Sequence, residues 1–349
     1  MNLKQLAELL DLSQTTVSRA LNGYPEVGEH TRRRVLEAAQ THHYRPNSWA
    51  KRLATGRSNA VAHILPMRSE HEVMNPVFAD FISGASAVYA EAGFDMILSI
   101  VDHSEELSAY RDLASRHSVE GLLVHAPHGD DPRIALLNEL GLPFVVHGRV
   151  SASTQAYSWL DLDNRQAFER GTRHLLDLGH RRIALLNGLD VMDFAQRRRS
   201  GFEAALASRG IDPDPDIVCG SEMTEAFGHS SASRMLGHRD PPTAFLVSSL
   251  IIAIGVRRAC EEHGFVLGRD VSLVSHDDDL GYFRDLSGEP YFTAIRSPVR
   301  DHGRRAARML LDIIRTGDRR PRTELLQAEL HLGRSTGPAP VRPVNLARG

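Results

Sequence analysis

Apolar residues recur at Leu3, Leu6, Ala7 and Leu10, the spacing of one helical face. The period breaks at Asp11-Leu12-Ser13, and Ser13 has the side chain to cap a second helix, Gln14–Leu21. Val17, Ala20 and Leu21 share the inner face of that helix, which leaves Gln14, Thr15, Ser18 and Arg19 on or near the outside. Asn22-Gly23-Tyr24-Pro25 ends it. A third helix is predicted from about Glu29 to His42, with Val35, Leu36 and Ala39 inward. Two short helices on a three-residue turn, backed by a third, make a helix-turn-helix; the second helix of that motif enters the DNA major groove. A plain three-helix cap with polar solvent faces has the same pattern.

From Asn59 the pattern changes to short apolar runs alternating with amphipathic stretches. Strands are predicted at Ala60–Leu65, Met96–Val101, Gly121–His125, Phe144–His147, Ile183–Asn187, Ala244–Val247 and Val271–Ser275. The helices predicted between them are Pro76–Ala92, Glu105–Ser115, Pro132–Leu140, Arg165–Leu178, Ala195–Ser208, Ser230–Leu236 and Ile251–His263. Such alternation implies doubly wound parallel sheets, and the run is too long for one compact sheet. Two α/β lobes with a ligand cleft between them fit the length. Ligands in such sheets sit at the carboxyl ends of the strands.

Charge sharpens the division. The first 57 residues hold nine Lys/Arg against five Asp/Glu, a net +4, and the rest hold 32 against 39, a net −7. A basic head on an acidic body suits a polyanion-binding module joined to something else. Cys219 and Cys260 are the two cysteines, too few for a disulfide framework or a metal knuckle. The longest apolar run, in Ala244–Val256, is too short to span a bilayer, and the N-terminus lacks a basic-then-apolar export signal. A cytoplasmic protein without membrane association is expected.

On the second helix, Arg19 can pair with a guanine edge, Gln14 with an adenine, and Thr15 with a base or a thymine methyl. Thr16, Ser18, Asn22 and Thr31 suit phosphate contacts, which fix register without reading sequence.

The head resembles that of the lactose/galactose-repressor family through LA at 6–7, TVSRALN at 16–22, TRRRV at 31–35, YRPN at 44–47 and AKRLATG at 50–56. Similarity continues through DNRQAFERGTRHLLDLGHRRIALLNG, QRRRSGFEAALASRGI, SLVSHDD and FTAIRSPVRDHGRRAARMLLDII, from Asn2 to about Arg334. The resemblance implies an all-α helix-turn-helix domain at 1–46, a hinge helix or linker at 47–57, and a periplasmic-binding-protein-like core at 58–334. It assigns 58–160 and 294–318 to an N-lobe and 161–293 and 319–334 to a C-lobe, with 335–349 expected as a flexible tail. Asn47 and Leu53 join the DNA contacts, Leu53 as the wedge that each hinge helix inserts into the minor groove. The core is expected to bind a small sugar effector and to form a homodimer mainly through the N-lobe. The Pro-rich end lacks the leucine heptads of a tetramerising coiled coil.

The same resemblance implies that Arg198, three residues before Gly201, grips an effector hydroxyl or carboxylate, although the adjoining arginines also read as a solvated basic run. Asp277 is the matching carboxylate for adjacent sugar hydroxyls. Ser249 stands where the family usually has an asparagine, and Leu250 where it has an aspartate, a departure that removes a common ligand amide. Many relatives carry an acid where Gly148 stands; His147 and Arg149 flank it here, and His147 is a candidate donor or a structural histidine. Met223 and Met67 are candidates for packing against the ligand. The histidines show no HxxxH or HExxH metal pattern, most are expected at the surface, and no cofactor is expected. No stacking aromatic for a purine can be placed. PFVVHGR and the VSS stretch look most like repressors of α-glucoside uptake and utilisation operons. Whether the effector carries phosphate stays open, with Arg149 and Arg198 both available.

The leading reading is a transcriptional repressor released from a pseudo-palindromic operator by a sugar. A corepressor-dependent regulator is the variant. A free sugar-binding protein is opposed by the basic head, and an enzyme by the absence of GxSxG, a phosphate loop or HExxH.

Overall fold

Asn2 accepts the Gln5 N–H at 2.9 Å while the Gln5 side chain accepts the Asn2 N–H, and this capping box starts α1 (Leu3–Leu10). The computed structural model describes residues 1–44, 57–67, 76–276 and 290–340, in two units, Met1–Asn59 and Ala60–Gly349. In the first, Asp11 takes a left-handed conformation to close α1, and the Ser13 hydroxyl accepts the Thr16 N–H at 3.0 Å to open α2 (Gln14–Leu21). Helix α3 (Glu29–Thr41) lies against both, around Leu6, Ala7, Leu10, Val17, Ala20, Val27, Val35 and Ala39. Leu36, expected inward, is 47% exposed: Val35 and Ala39 take the inner stripe, and the next residue points about 100° away.

The second unit has two six-stranded sheets. The first runs β11-β5-β4-β3-β1-β2 and is parallel throughout, from β1 (Ala60–Met67), β2 (Asp95–Asp102), β3 (Gly121–His125), β4 (Phe144–His147), β5 (Ser158–Leu162) and β11 (Thr323–Leu326). The second runs β12-β10-β9-β8-β6-β7, from β6 (Ile183–Asn187), β7 (Val218–Gly220), β8 (Ala244–Val247), β9 (Ser272–His276), β10 (Thr293–Arg296) and β12 (Glu329–His331); only β12 is antiparallel. Helices α4 (Pro76–Glu91), α5 (Glu106–Ser115), α6 (Pro132–Leu140) and α11 (Val299–Thr316) flank the first sheet. Helices α7 (Asn164–Asp177), α8 (Asp193–Ala207), α9 (Glu225–Leu236) and α10 (Leu250–Glu262) flank the second. The strand runs are apolar because helices cover both faces, and β3, β6, β8 and β9 are buried end to end.

The chain passes between lobes after β5, after β10 and after β11. The expected partition therefore shifts. Strand β10 belongs to the second sheet, not to the first lobe from 294 onward, and β11 belongs to the first sheet, not to the second lobe. Both are four-residue strands without an unbroken apolar run, so neither carried a strand signal. Residues 335–340, expected within a flexible tail, are bound to the second lobe: buried Ser335 donates to the Leu273 carbonyl at 2.6 Å, and the Ala339 N–H to the Leu178 carbonyl at 2.8 Å. They satisfy backbone groups at the ends of β9 and α7 that would otherwise lack partners. No helix among the described residues is long and apolar enough to cross a membrane.

Candidate effector cleft and nucleic-acid interface

Gln14, Thr15 and Arg19 are exposed on α2, and their side chains make no hydrogen bond or ion pair among the described residues. Burial of Val17 and Ala20 on the opposite face fixes this orientation. Thr16 and Ser18 are half-buried beside them. The Thr16 hydroxyl meets that of Ser13 at 2.8 Å, and Asn22 donates to the Ser18 carbonyl at 2.8 Å, so both reinforce the ends of the helix. Thr31 is half-buried in the first turn of α3. Asn47 and Leu53 lie outside the described residues.

The second unit contains a cavity of about 210 Å³ between its sheets. It opens where both sheets reverse strand order, beside the carboxyl ends of β3, β4, β8 and β9, the position expected for ligands in wound sheets. Arg198, Ser249, His147 and Met223 all line it. Met67 ends β1, and Asp277 lies outside the described residues.

Arg198 projects from α8 and is 6% exposed, which excludes the solvated basic run. Its guanidinium donates to Asn164 Oδ1 at 2.8 Å and to the Ser248 carbonyl at 2.9 Å, and lies 3.1 Å from His276 Nδ1. The rings of Phe194 and Phe168 face it at 4.8 and 5.0 Å. A planar fork held in three directions is pre-organised for a ligand oxygen. Ser249 caps α10, accepting the Ile252 N–H at 3.2 Å, and Ser248 donates to Asn187 at 2.6 Å.

Arg149 donates to Asp161 Oδ2 at 2.7 Å, and burial raises the Asp161 carboxyl from its ordinary value despite that partner. Gly148 has φ +116°, and a Cβ there would meet Pro127 at 2.7 Å. An acidic side chain here would thus be strained on this backbone. His147 stacks on Phe81 with ring centres 4.4 Å apart, beside His302 at 6.0 Å. His125 meets buried His63, Nε2 to Nδ1, at 3.0 Å. Burial pushes the His63 imidazole down to about 3 and holds His125 well below its ordinary value.

Several lining residues carried no sequence signal. Asp161 and Asn164 flank the end of β5, whose SWLDL run lacks a continuous apolar stretch. Phe78, Phe81 and Phe194 reach the cavity, so aromatic faces are present after all; each sits on a helix, where an aromatic at helical spacing reads as core. Among the described residues five histidines, 63, 125, 180, 276 and 302, are buried, on strands, in a loop and on α11, a placement invisible in composition.

Residues 2–47 match the family model described as bacterial regulatory proteins, lacI family, and residues 172–336 match a periplasmic binding protein-like domain. The chain is 43% identical to the HTH-type transcriptional regulator AglR of Rhizobium meliloti (strain 1021), over 98% of this chain and 96% of that protein. It superimposes on a transcriptional regulator CelR–cellobiose complex with TM-score 0.71 and 27% identity, covering 96% and 99% of the two chains. It superimposes on the lac repressor dimer bound to operator and the anti-inducer ONPF with TM-score 0.82 and 25% identity, covering 97% and 99%. With a helix-turn-helix head and two wound lobes around a cleft, the chain belongs to the lacI family of bacterial regulatory proteins and is a DNA-binding transcriptional regulator rather than an enzyme.

Proposed function

We propose that the protein is a cytoplasmic repressor of a carbohydrate uptake or utilisation operon, released from a pseudo-palindromic operator by a neutral α-glucoside bound between its lobes. The observation that carries the effector class is the state of the arginines lining the cavity. Arg149 is paired with Asp161, Arg197 lies 3.8 Å from Asp193, and Arg198 is engaged by Asn164, Ser248 and His276. Arg149 and Arg197 each lie beside a carboxylate and only Arg198 is held by neutral acceptors, so most of the cationic charge is already balanced, which favours a neutral polyol over a phosphorylated one. Asp277 supplies the carboxylate for adjacent hydroxyls, with Arg198, Ser249, His147, Met223 and Met67 around the ring.

Two copies act together, each placing α2 in one half-site, with Gln14, Thr15 and Arg19 at base edges and Thr16, Ser18, Asn22, Thr31 and Asn47 at the backbone. Residues 47–57 form the hinge, and Leu53 wedges the central base step. Strand β2, at the edge of its sheet, exposes Leu98 and Ile100 at 43% and 47%, apolar surface that supports a homodimer through the N-lobe. Effector and operator bind linked states of one molecule, so each weakens the other by the same factor.

The test is operator affinity by fluorescence anisotropy, on DNA from upstream of the chain's own gene, with maltose, sucrose, trehalose, glucose or glucose-6-phosphate. Release by an α-glucoside alone is expected. Release by glucose-6-phosphate overturns the neutral class, tightening identifies a corepressor, and indifference to every sugar rejects a sugar effector of this kind.

A further inference from the structure

Behind the cleft wall runs a line of three buried polar side chains. Tyr89 is 1% exposed, His63 0% and His125 7%. The Tyr89 hydroxyl lies 3.2 Å from His63 Nε2, and His63 Nδ1 lies 3.0 Å from His125 Nε2. His125 then lines the cavity, and its Nδ1 is buried without a hydrogen-bond partner. His63 and Tyr89 do not line the cavity.

A line of neutral imidazoles has a direction. Each ring carries one N–H, so a donor at one end fixes every nitrogen down the line. If Tyr89 donates to His63 Nε2, His63 must carry its proton on Nδ1 and donate to His125 Nε2, and His125 must carry its own on Nδ1. If the line runs the other way, His125 Nδ1 is a bare acceptor and the Tyr89 hydroxyl hydrogen needs another acceptor. Among the described residues Tyr89 has no partner besides His63, so the reverse direction orphans two buried groups, the phenol hydrogen and the bare His125 Nδ1, whereas the first leaves only the His125 Nδ1–H without a protein acceptor. Burial keeps both rings uncharged and the phenol protonated, so a doubly protonated ring does not blur the direction.

We propose that Tyr89 and His63 are positioning residues that hold His125 in its Nδ1–H form, so that the cleft wall presents a hydrogen-bond donor to an acceptor oxygen of the effector. This rests on the reading of the cleft as the effector site. An uncharged N–H suits a hydroxyl, ring or glycosidic oxygen of a sugar, and leaves an ammonium or other donor-only group without an acceptor there.

Side-chain 15N NMR of the full chain tests the direction without a ligand, because protonated and bare ring nitrogens resonate far apart. His63→Gln and His125→Asn assign the signals. Wild type should show both rings as Nδ1–H, and Tyr89→Phe, which keeps the ring but removes the selecting hydrogen, should give mixed tautomers at both. A bare Nδ1 on wild-type His125, or tautomers unmoved by Tyr89→Phe, overturns the proposal. Maltose binding is measured alongside by calorimetry. Tyr89→Phe should weaken it about three- to tenfold with operator affinity unchanged. Maltose binding that leaves the His125 Nδ1 signal unmoved also overturns the proposal and assigns that N–H to the face of the Phe78 or Phe81 ring, each perpendicular to the imidazole with centres 5.0 and 5.1 Å away. If wild type takes up none of maltose, sucrose and trehalose, the α-glucoside reading fails, and the ligand-free tautomers still decide the line.

Discussion

The Asp193 carboxylate, buried at the start of α8, accepts the Ser151 backbone N–H at 3.2 Å and also the Ser151 hydroxyl, joining the second lobe to the loop after β4 in the first. The Asp193 N–H returns a bond to the Pro127 carbonyl at 3.3 Å, and Arg197 donates to the Ser151 hydroxyl at 2.8 Å. These contacts hold the lobes together beside the cleft. Asp193→Asn keeps the shape and removes the charge. It is expected to cost about 1–3 kcal/mol in chemical denaturation and to enlarge the particle in small-angle scattering. Unchanged scattering would show that the contact does not restrain the lobes.

Arg19 is the exposed cation on α2. Arg19→Ala is expected to weaken operator binding by about 1–3 kcal/mol and to relax preference at one base pair. Binding to a set of single-site operator variants measures this. A uniform loss across all of them would assign Arg19 to phosphate.

Gly148→Asp places an acidic side chain at a φ of +116°, against Pro127. The expected cost is about 1–3 kcal/mol of stability, seen as a lower Tm. A variant as stable as wild type would mean that the loop relaxes to a different backbone.

His63 and His125 are held uncharged by burial. In the unfolded chain each takes a proton near pH 6.5. Between roughly pH 4 and 6.5 the unfolded state therefore binds more protons, and stability falls on acidification by up to about 1.4 kcal/mol per pH unit for each such ring. His174 and His180, also lowered by burial, act in the same direction, the raised Asp161 carboxyl opposes them, and the lowered carboxyls of Asp131 and Asp270 contribute only at more acid pH. Urea midpoints at pH 7 and pH 5 check this, and equal midpoints would show that these rings charge freely in the folded state.

The legible parts of the chain were those where local pattern and tertiary role agree. Strands β1, β3, β4, β6, β8 and β9 are apolar runs because they are buried on both faces, whereas β2 is an apolar run although it lies exposed at the edge of its sheet. The head was readable from Ser13, Val17 and Ala20 because a three-helix unit is governed by caps and one stripe. Strands β5, β7, β10, β11 and β12 were not: none is an unbroken apolar run, and β11 and β12 include exposed edge positions. Helix α9 begins at Glu225 rather than Ser230 because Gly228 reads as a breaker. Its missing Cβ instead lets α9 touch α10, where a Cβ would fall 2.3 Å from the Ile252 carbonyl. In the cleft, Arg198 and Ser249 were reachable through family motifs. Asn164, His125 and the three phenylalanines depend on long-range convergence that no local spacing records.

Because the chain returns to the first sheet for α11 and β11 after building most of the second, the two lobes cannot be separated by one cut. During synthesis the lobe that is begun first lacks one covering helix and an edge strand until nearly the whole chain has emerged. The second lobe, nearly continuous from α7 to β10, has all its parallel strands earlier. The usual order in which amino-terminal units finish folding first is therefore reversed within this core. A nascent chain stalled before residue 299 would carry a nearly complete second lobe on an unfinished first one, with the underside of β3 and β4 still open to chaperones.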